Sequence, residues 1–369
     1  MAEKDFSVNP WEVKGEVDYD KLVKDFGTTL IDSKILKRLA NAHPLLRRGV
    51  YFSHRDFDKW LVAFDSKKKV SVLTGRGPSE KMHLGHLVPF LVAKSLQEEF
   101  GCNVFIPISD DEKFYVKEKL TFEDSLKYSY DNILDLIALG FKPGKTFIFE
   151  DFVHTEIYKF AAQCAKRINY SEAKAVFGLK PENNIGWSFY PAMQAAHILY
   201  PQFREGKQNV VVPVGIDQDP FIRLTRGLAE YFNFEKPSAL HARFIPGLSG
   251  GAKMSSSDTM NDVIYLTDSP EEVKKKINKY AFSGGRDTLE EHRKLGGNPD
   301  VDVSFQYLKI LFEQDDKKLA QIEKDYRSGK LLSGELKAIL IEKVNAFLKK
   351  HQSLREKAKS EVEKFLIRD

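Results

Sequence analysis

Cysteine is nearly missing: Cys102 and Cys164 are the only two in 369 residues, far apart and without a CxxC pair. That excludes a disulfide framework, and no zinc-type spacing exists, so no metal ligands are assigned. Long apolar runs are missing too. The opening stretch Met1 to Trp11 carries charges and a proline where a secretory leader has an apolar core, and no later segment is long and apolar enough to span a bilayer. These absences predict a soluble protein without membrane contact in the reducing cytoplasm. Charge of one sign is not in excess either, with 57 Lys and Arg against 53 Asp and Glu, a net +4. Basic residues do gather late, at Lys349, Lys350, Arg355, Lys357 and Lys359, which permits contact with a phosphate backbone.

A chain of this length suits two or three domains. Val70 to Leu73, Asn103 to Ile108, Lys145 to Phe149 and Asn209 to Val214 are rich in Val, Ile or Phe and read as strands. Between the first two, Leu87, Phe90, Leu91 and Leu96 recur at helical intervals from Gly85 to Phe100. Strand, turn, helix and strand in that order begin a doubly wound, Rossmann-like parallel sheet of the α/β class. From Asp268 the texture becomes helical. Ser269, Pro270 and Glu272 spell a capped helix start, and Leu336, Leu340, Val344 and Phe347 mark an amphipathic helix. Residues 1–65 are read as a segment preceding the sheet and packing on it. Residues 66–268 are read as the catalytic domain with a helical insertion at about 114–208, and 269–369 as an all-helical domain whose last helix packs back. Ser283 to Asn298, with glycines at 284, 285, 296 and 297, reads as a surface turn between helices.

The strongest local signal is Thr74-Gly75-Arg76-Gly77-Pro78-Ser79, followed by His83-Leu84-Gly85-His86 at the mouth of a helix. Glycines let backbone approach a phosphate, a helix start offers N–H donors, and two histidines can donate to phosphate oxygens. A plain Gly-Pro loop followed by two surface histidines is the competing reading. Far downstream stands Lys253-Met254-Ser255-Ser256-Ser257 after Gly250-Gly251. A lysine on such a loop can close over a triphosphate and neutralise charge that develops as pyrophosphate leaves. Alone it reads as a linker; after HxGH it reads as half of a pair.

The paired signatures resemble the HIGH and KMSKS motifs of class I aminoacyl-tRNA synthetases. The phrases TGRGPS, SDDEKF, GIDQDP and FSGGRDT, with NPWEVKGEVDYDKL and LLRRGVYFSHRDFD near the start, narrow the resemblance to the archaeal and eukaryotic type of tryptophanyl-tRNA synthetase. They spread over nearly the whole chain, and the short step from Thr74 to His83 fits the archaeal form. The resemblance implies activation of L-tryptophan by ATP with Mg²⁺, transfer to tRNA(Trp), and a homodimer built through residues 114–208. It assigns Arg76, His83, His86 and Lys253 to the ATP phosphates, with Gly75, Gly77, Gly85, Lys113, Met254, Ser255 and Ser256 around the nucleotide. Asp217 is assigned to ribose hydroxyls, an N-cap being its plainer role. Glu112 and Gln218 are assigned to the substrate α-amino group, and Gln194 to the same cleft. Phe189, Tyr190 and Met193 read as core. Arg286 and Asp287 of FSGGRDT are candidates for the anticodon, or a loop salt bridge. Arg47, Arg48, His54 and Arg55 are candidates for the acceptor stem, or a solvated face.

Two positions depart from the family. A tyrosine and a glutamine that read the indole ring are replaced by Leu73 and Pro107. Either another acceptor is recruited, such as Ser109, His197 or a water, or the alignment slips at Pro107, or the amino-acid choice differs. A paralogue with altered specificity and a non-aminoacylating RNA-binding paralogue are the alternatives.

Overall fold

The computed structural model describes residues 17–78, 80–251, 254 and 262–369, with the backbone of two short antiparallel strands at Ser7–Val8 and Val13–Lys14. Seven strands form the main sheet: β1 (Thr29–Leu30), β2 (Tyr51–Arg55), β3 (Val70–Leu73), β4 (Asn103–Ile108), β5 (Thr146–Glu150), β6 (Asn209–Gly215) and β7 (Ser238–Ala242). Their order is β1-β2-β7-β6-β3-β4-β5, parallel from β7 to β5 and antiparallel at β1 and β2. The parallel strands are covered on both faces, which is why they read as continuous apolar runs: all four residues of β3 are buried. Chain order reverses between β3 and β6, and a crevice opens beyond their carboxyl ends, where doubly wound sheets hold ligands.

Two strands lie where the sequence reading puts a segment that precedes the sheet. β1 and β2 belong to residues 1–65, and β2 pairs with β7. Their packing is tertiary: Tyr51 is fully buried against distant residues, so no local period marks it.

Among the helices that position the crevice are α1 (Leu87–Phe100), α2 (Asp110–Val116), α3 (Phe122–Ala138) and α4 (Ile185–Glu205). Helix α1 buries Leu87, Phe90 and Leu96 and ends at Gly101, whose φ of 62° is left-handed. Between residues 114 and 208 the helices surround β5, an edge strand. The chain's end covers that edge: Ile148 donates to Phe365 O and accepts from Ile367 N, each at 2.8 Å.

After residue 268, helix α5 (Pro270–Tyr280) starts at the expected capping box, with Ser269 Oγ accepting from Glu272 N at 3.2 Å and Glu272 Oε2 accepting from Ser269 N at 2.7 Å. The stretch 283–298 is more than a surface turn. It contains helix α6 (Leu289–Leu295), capped by Thr288, and at Gly296 a Cβ would come within 1.8 Å of Arg327 O. Helix α7 (Ser333–Ala358) buries Leu336, Leu340, Val344 and Leu348, with Phe347 half-buried beside them. It docks on α3 through His351 and Arg355, which both reach the buried Asp135 carboxylate. One apolar cluster runs from Leu45 and Trp60 through the sheet to Leu340 and Phe365. Among the described residues, no helix is long and apolar enough to cross a membrane.

Candidate active site

The loop after β3 is stitched to the end of β4: Arg76 N donates to Pro107 O at 3.0 Å, and Ser109 N donates to Arg76 O at 2.8 Å. The two glycines are needed for close approach. A Cβ at Gly75 would lie 3.0 Å from Pro107 Cγ, and one at Gly77 would meet Glu112 Oε2 at 2.6 Å and the Lys113 side chain at 2.7 Å. The half-buried Arg76 sends Nε to Asn132 Oδ1 at 3.1 Å and Nη1 to Gly77 O at 2.5 Å. Burial lowers its pKa to about 10, so it remains a cation at neutral pH.

His83 caps and His86 ends the single turn Leu84–His86 that precedes α1, their rings stacked with centroids 3.5 Å apart. His83 Nδ1 accepts from Gly85 N at 3.2 Å and His86 Nδ1 accepts from His83 N at 3.1 Å. With Nδ1 occupied as an acceptor on both, the ring proton sits on Nε2, which turns each imidazole into a donor. Burial, reinforced by the Arg76 charge, pushes the His83 pKa down to about 3. His83 is therefore a neutral donor, and its buried Nε2 has no partner among the described residues. Met254 touches this turn: a Cβ at Gly85 would come within 2.9 Å of its Sδ, and Met254 N donates to Ile245 O at 2.7 Å. The two signatures thus meet at Gly85 and Met254. Lys253, Ser255 and Ser256, like Ser79, lie outside the described residues.

Across the crevice, α2 presents Glu112 and Lys113, paired at 2.6 Å. The Tyr190 hydroxyl on α4 lies 3.2 Å from Glu112 Oε2 and 2.9 Å from Gln194 Oε1. Tyr190, read from sequence as core, is thus a polar member of the wall. Beyond β6, Asp217 is buried and receives Gln218 Nε2 at 3.1 Å. Loop, histidine turn, Glu112, Lys113, Tyr190, Asp217, Gln218 and Met254 line one cavity of about 520 Å³. Leu73 lies in the apolar cluster beneath, with Phe105, Phe149, Tyr190 and Met193. Pro107 pairs in register with Phe149.

A second set of buried polar groups lies at the carboxyl ends of β4 and β5, and sequence reasoning did not assemble it. Asp110, Asp111 and Asp151 are fully buried with His197, which is 1% exposed. Burial, then the like charge of Asp151, raises the Asp111 pKa; burial, then Asp110, raises that of Asp151. Asp110 is pushed up to about 7, mainly by burial. The available signal was the spacing Tyr190, Gln194, His197, one face of a helix.

Other candidates lie elsewhere. Arg286 and Asp287 are exposed before α6, with Arg286 Nε on Gly296 O at 3.1 Å. The N-terminal cations are structural: Arg47 and Arg48 hold Asp316, Arg55 pairs with the buried Asp219 at 2.8 Å, and His54 is 4% exposed and accepts from Phe57 N. Arg47 stays exposed beside Asp316, whereas His54 is buried.

Residues 65–349 match the family model of class I tRNA synthetases (W and Y). The chain is 49% identical over 368 residues to a tryptophan–tRNA ligase of Sulfurisphaera tokodaii, covering 98% of this chain and 95% of that one. Among solved structures it is similar to tryptophanyl-tRNA synthetase from Aeropyrum pernix, with a TM-score of 0.87, 36% identity and coverage of 95% and 97%. A tryptophanyl-tRNA synthetase from Encephalitozoon cuniculi bound to tryptophan matches equally, at a TM-score of 0.87, 36% identity and coverage of 95% and 98%.

Proposed function

The chain belongs to the class I tRNA synthetases for tryptophan and tyrosine, and from that premise we propose how its cleft activates L-tryptophan with ATP and passes it to tRNA(Trp). It is an ATP-dependent tryptophan–tRNA ligase. The observation that carries the reading is a single cavity joining the histidine turn and its glycine loop to Glu112 and Gln218.

The amino acid's carboxylate attacks the α-phosphorus of ATP, the bond to pyrophosphate breaks, and the adenylate then acylates a terminal ribose hydroxyl of tRNA as its acyl–phosphate bond breaks and AMP leaves. His83 and His86 serve as Nε2–H donors to phosphate oxygens, His83 as a neutral imidazole. Arg76 supplies positive charge behind the loop, Lys253 neutralises charge on the departing pyrophosphate, and Met254 ties its signature to Gly85. Ser255 and Ser256 set the closing loop, and Lys113 approaches ATP from α2. Mg²⁺ arrives on the ATP phosphates as part of the substrate. At the other end Glu112 and Gln218 receive the α-ammonium group, Gln194 orders the Tyr190 hydroxyl, and Asp217 holds ribose hydroxyls. Leu73 and Pro107 give the side-chain pocket an apolar floor. The helical part, with Arg286 and Asp287, reads the anticodon. Residues 114–208 form a dimer face, supported by the exposed Phe114, Phe122, Val153 and Ile185. The reading carries with it a cytoplasmic site of action.

The test is charging of tRNA(Trp) transcript with labelled tryptophan. ATP-dependent transfer is expected. A protein that binds the tRNA but leaves it uncharged refutes the reading.

A further inference from the structure

We propose that His197 is the residue that selects the indole ring, its Nδ1 accepting the indole N–H of tryptophan. This rests on the reading above and deepens it. A buried indole N–H must find an acceptor, and the apolar floor formed by Leu73, Phe105, Phe149 and Met193 offers none. His197 stands one turn beyond Gln194 on the same face of α4 as Tyr190, which lines the cleft. Its ring centroid is 6.1 Å from that of Phe149, the register partner of Pro107. The imidazole is thus beside the apolar floor.

Its protonation is fixed from behind. Nε2 is 2.8 Å from Asp151 Oδ1. Burial and the like charge of Asp151 hold the Asp111 carboxyl well above the usual carboxylate range, which favours its keeping a proton, and the Tyr158 hydroxyl donates to Asp111 Oδ2 at 3.3 Å. With that proton on Asp111, Asp151 accepts Nε2–H, and Nδ1 of the neutral ring carries none. Burial holds the His197 pKa at about 4, so the ring stays neutral at physiological pH. Nδ1 is buried and has no hydrogen-bond partner among the described residues. A bare acceptor enclosed beside an apolar floor is the complement of an indole: it rewards an N–H and is indifferent to the rest of the ring. Asp151 acts through His197 as a positioning residue.

The experiment compares amino-acid-dependent ATP–pyrophosphate exchange with tryptophan and with 3-benzothienylalanine, whose sulfur replaces the N–H. The unmodified protein should prefer tryptophan by roughly 10²-fold in kcat/KM. His197→Leu should bring that ratio to within about 3-fold, through a higher KM for tryptophan and an unchanged KM for the analogue. His197→Gln, which keeps an acceptor, should restore part of the preference, and Asp151→Asn should lower it by roughly 10-fold. An unaltered ratio in His197→Leu overturns the proposal, as does an equal loss on both substrates while His197→Gln stays as selective as the parent. If the unmodified protein activates both equally, this inference alone falls. If it activates no tryptophan, the functional reading falls with it.

Discussion

The two ends of the cleft are built in opposite ways. The proposed phosphate end is local: a glycine loop and a histidine turn, within fourteen positions of Leu73, whose side chains are pinned by neighbouring backbone N–H groups. The proposed amino-acid end is assembled from distant segments: Tyr190 meets Glu112 and His197 meets Asp151 through buried contacts, and Glu112, Tyr190 and Gln218 line one cavity. In that reading one end offers side-chain donors to a highly charged ligand. The other encloses charge that is stable only when shared or paired. Chemistry and recognition are therefore expected to be separable by mutation, and the variants below test how cleanly.

The largest effect is expected where the two ends touch. Gly77→Val pushes a side chain into Glu112 and Lys113, and should reduce adenylate formation by about 10³-fold, with both KM values affected. Stopped-flow measurement of adenylate formation checks this, and a loss confined to one substrate would show that the ends do not meet there.

His83→Ala should cost about 10² in kcat while the KM for tryptophan moves less than about 3-fold. Because its pKa is lowered to about 3, His83 is neutral above that value and gains a proton only below it. The rate should therefore show no inflection from this group between about pH 5 and pH 8. A pH profile of the parent that loses a step when His83 is replaced would contradict the neutral-donor role.

Glu112→Gln should act in reverse, raising the KM for tryptophan by about 10-fold or more with a small change in the KM for ATP. It also releases the partners of Glu112 at Lys113 and Tyr190. Equal changes in the two KM values would erase the distinction between the ends.

The smallest effect belongs to the anticodon candidate. Arg286→Ala should leave ATP–pyrophosphate exchange unchanged and raise the KM for tRNA by about 3- to 10-fold, read in charging assays with tRNA as the varied substrate. A loss in exchange would instead tie Arg286 to the stability of the loop it closes onto Gly296.

The same contrast explains what was legible in the sequence. Short-range chemistry leaves short-range traces: TGRG and HLGH are legible as a glycine loop and a histidine turn at a helix start, and the capping box at Ser269 sets the start of α5 to the residue. The four parallel strands read as apolar runs were visible because both their faces are covered. β1, β2 and β7 escaped because two are antiparallel to their neighbours and owe their place to packing on each other and on β6. Helix α6 was hidden in a glycine-rich stretch whose glycines serve close packing rather than a turn alone. Tyr190 shows the limit most plainly. An aromatic among aromatics reads as core, and it is buried, yet its hydroxyl lies between Glu112 and Gln194. Nothing in the local string separates a packed ring from a packed ring with a placed oxygen. His197 and Asp151 are forty-six positions apart and become one unit only when β5 and α4 are set side by side.

The most direct test of the account is ATP–pyrophosphate exchange driven by each of the twenty amino acids in turn. The cleft described here predicts efficient exchange with tryptophan alone. Comparable kcat/KM with tyrosine, phenylalanine or any other amino acid would contradict it.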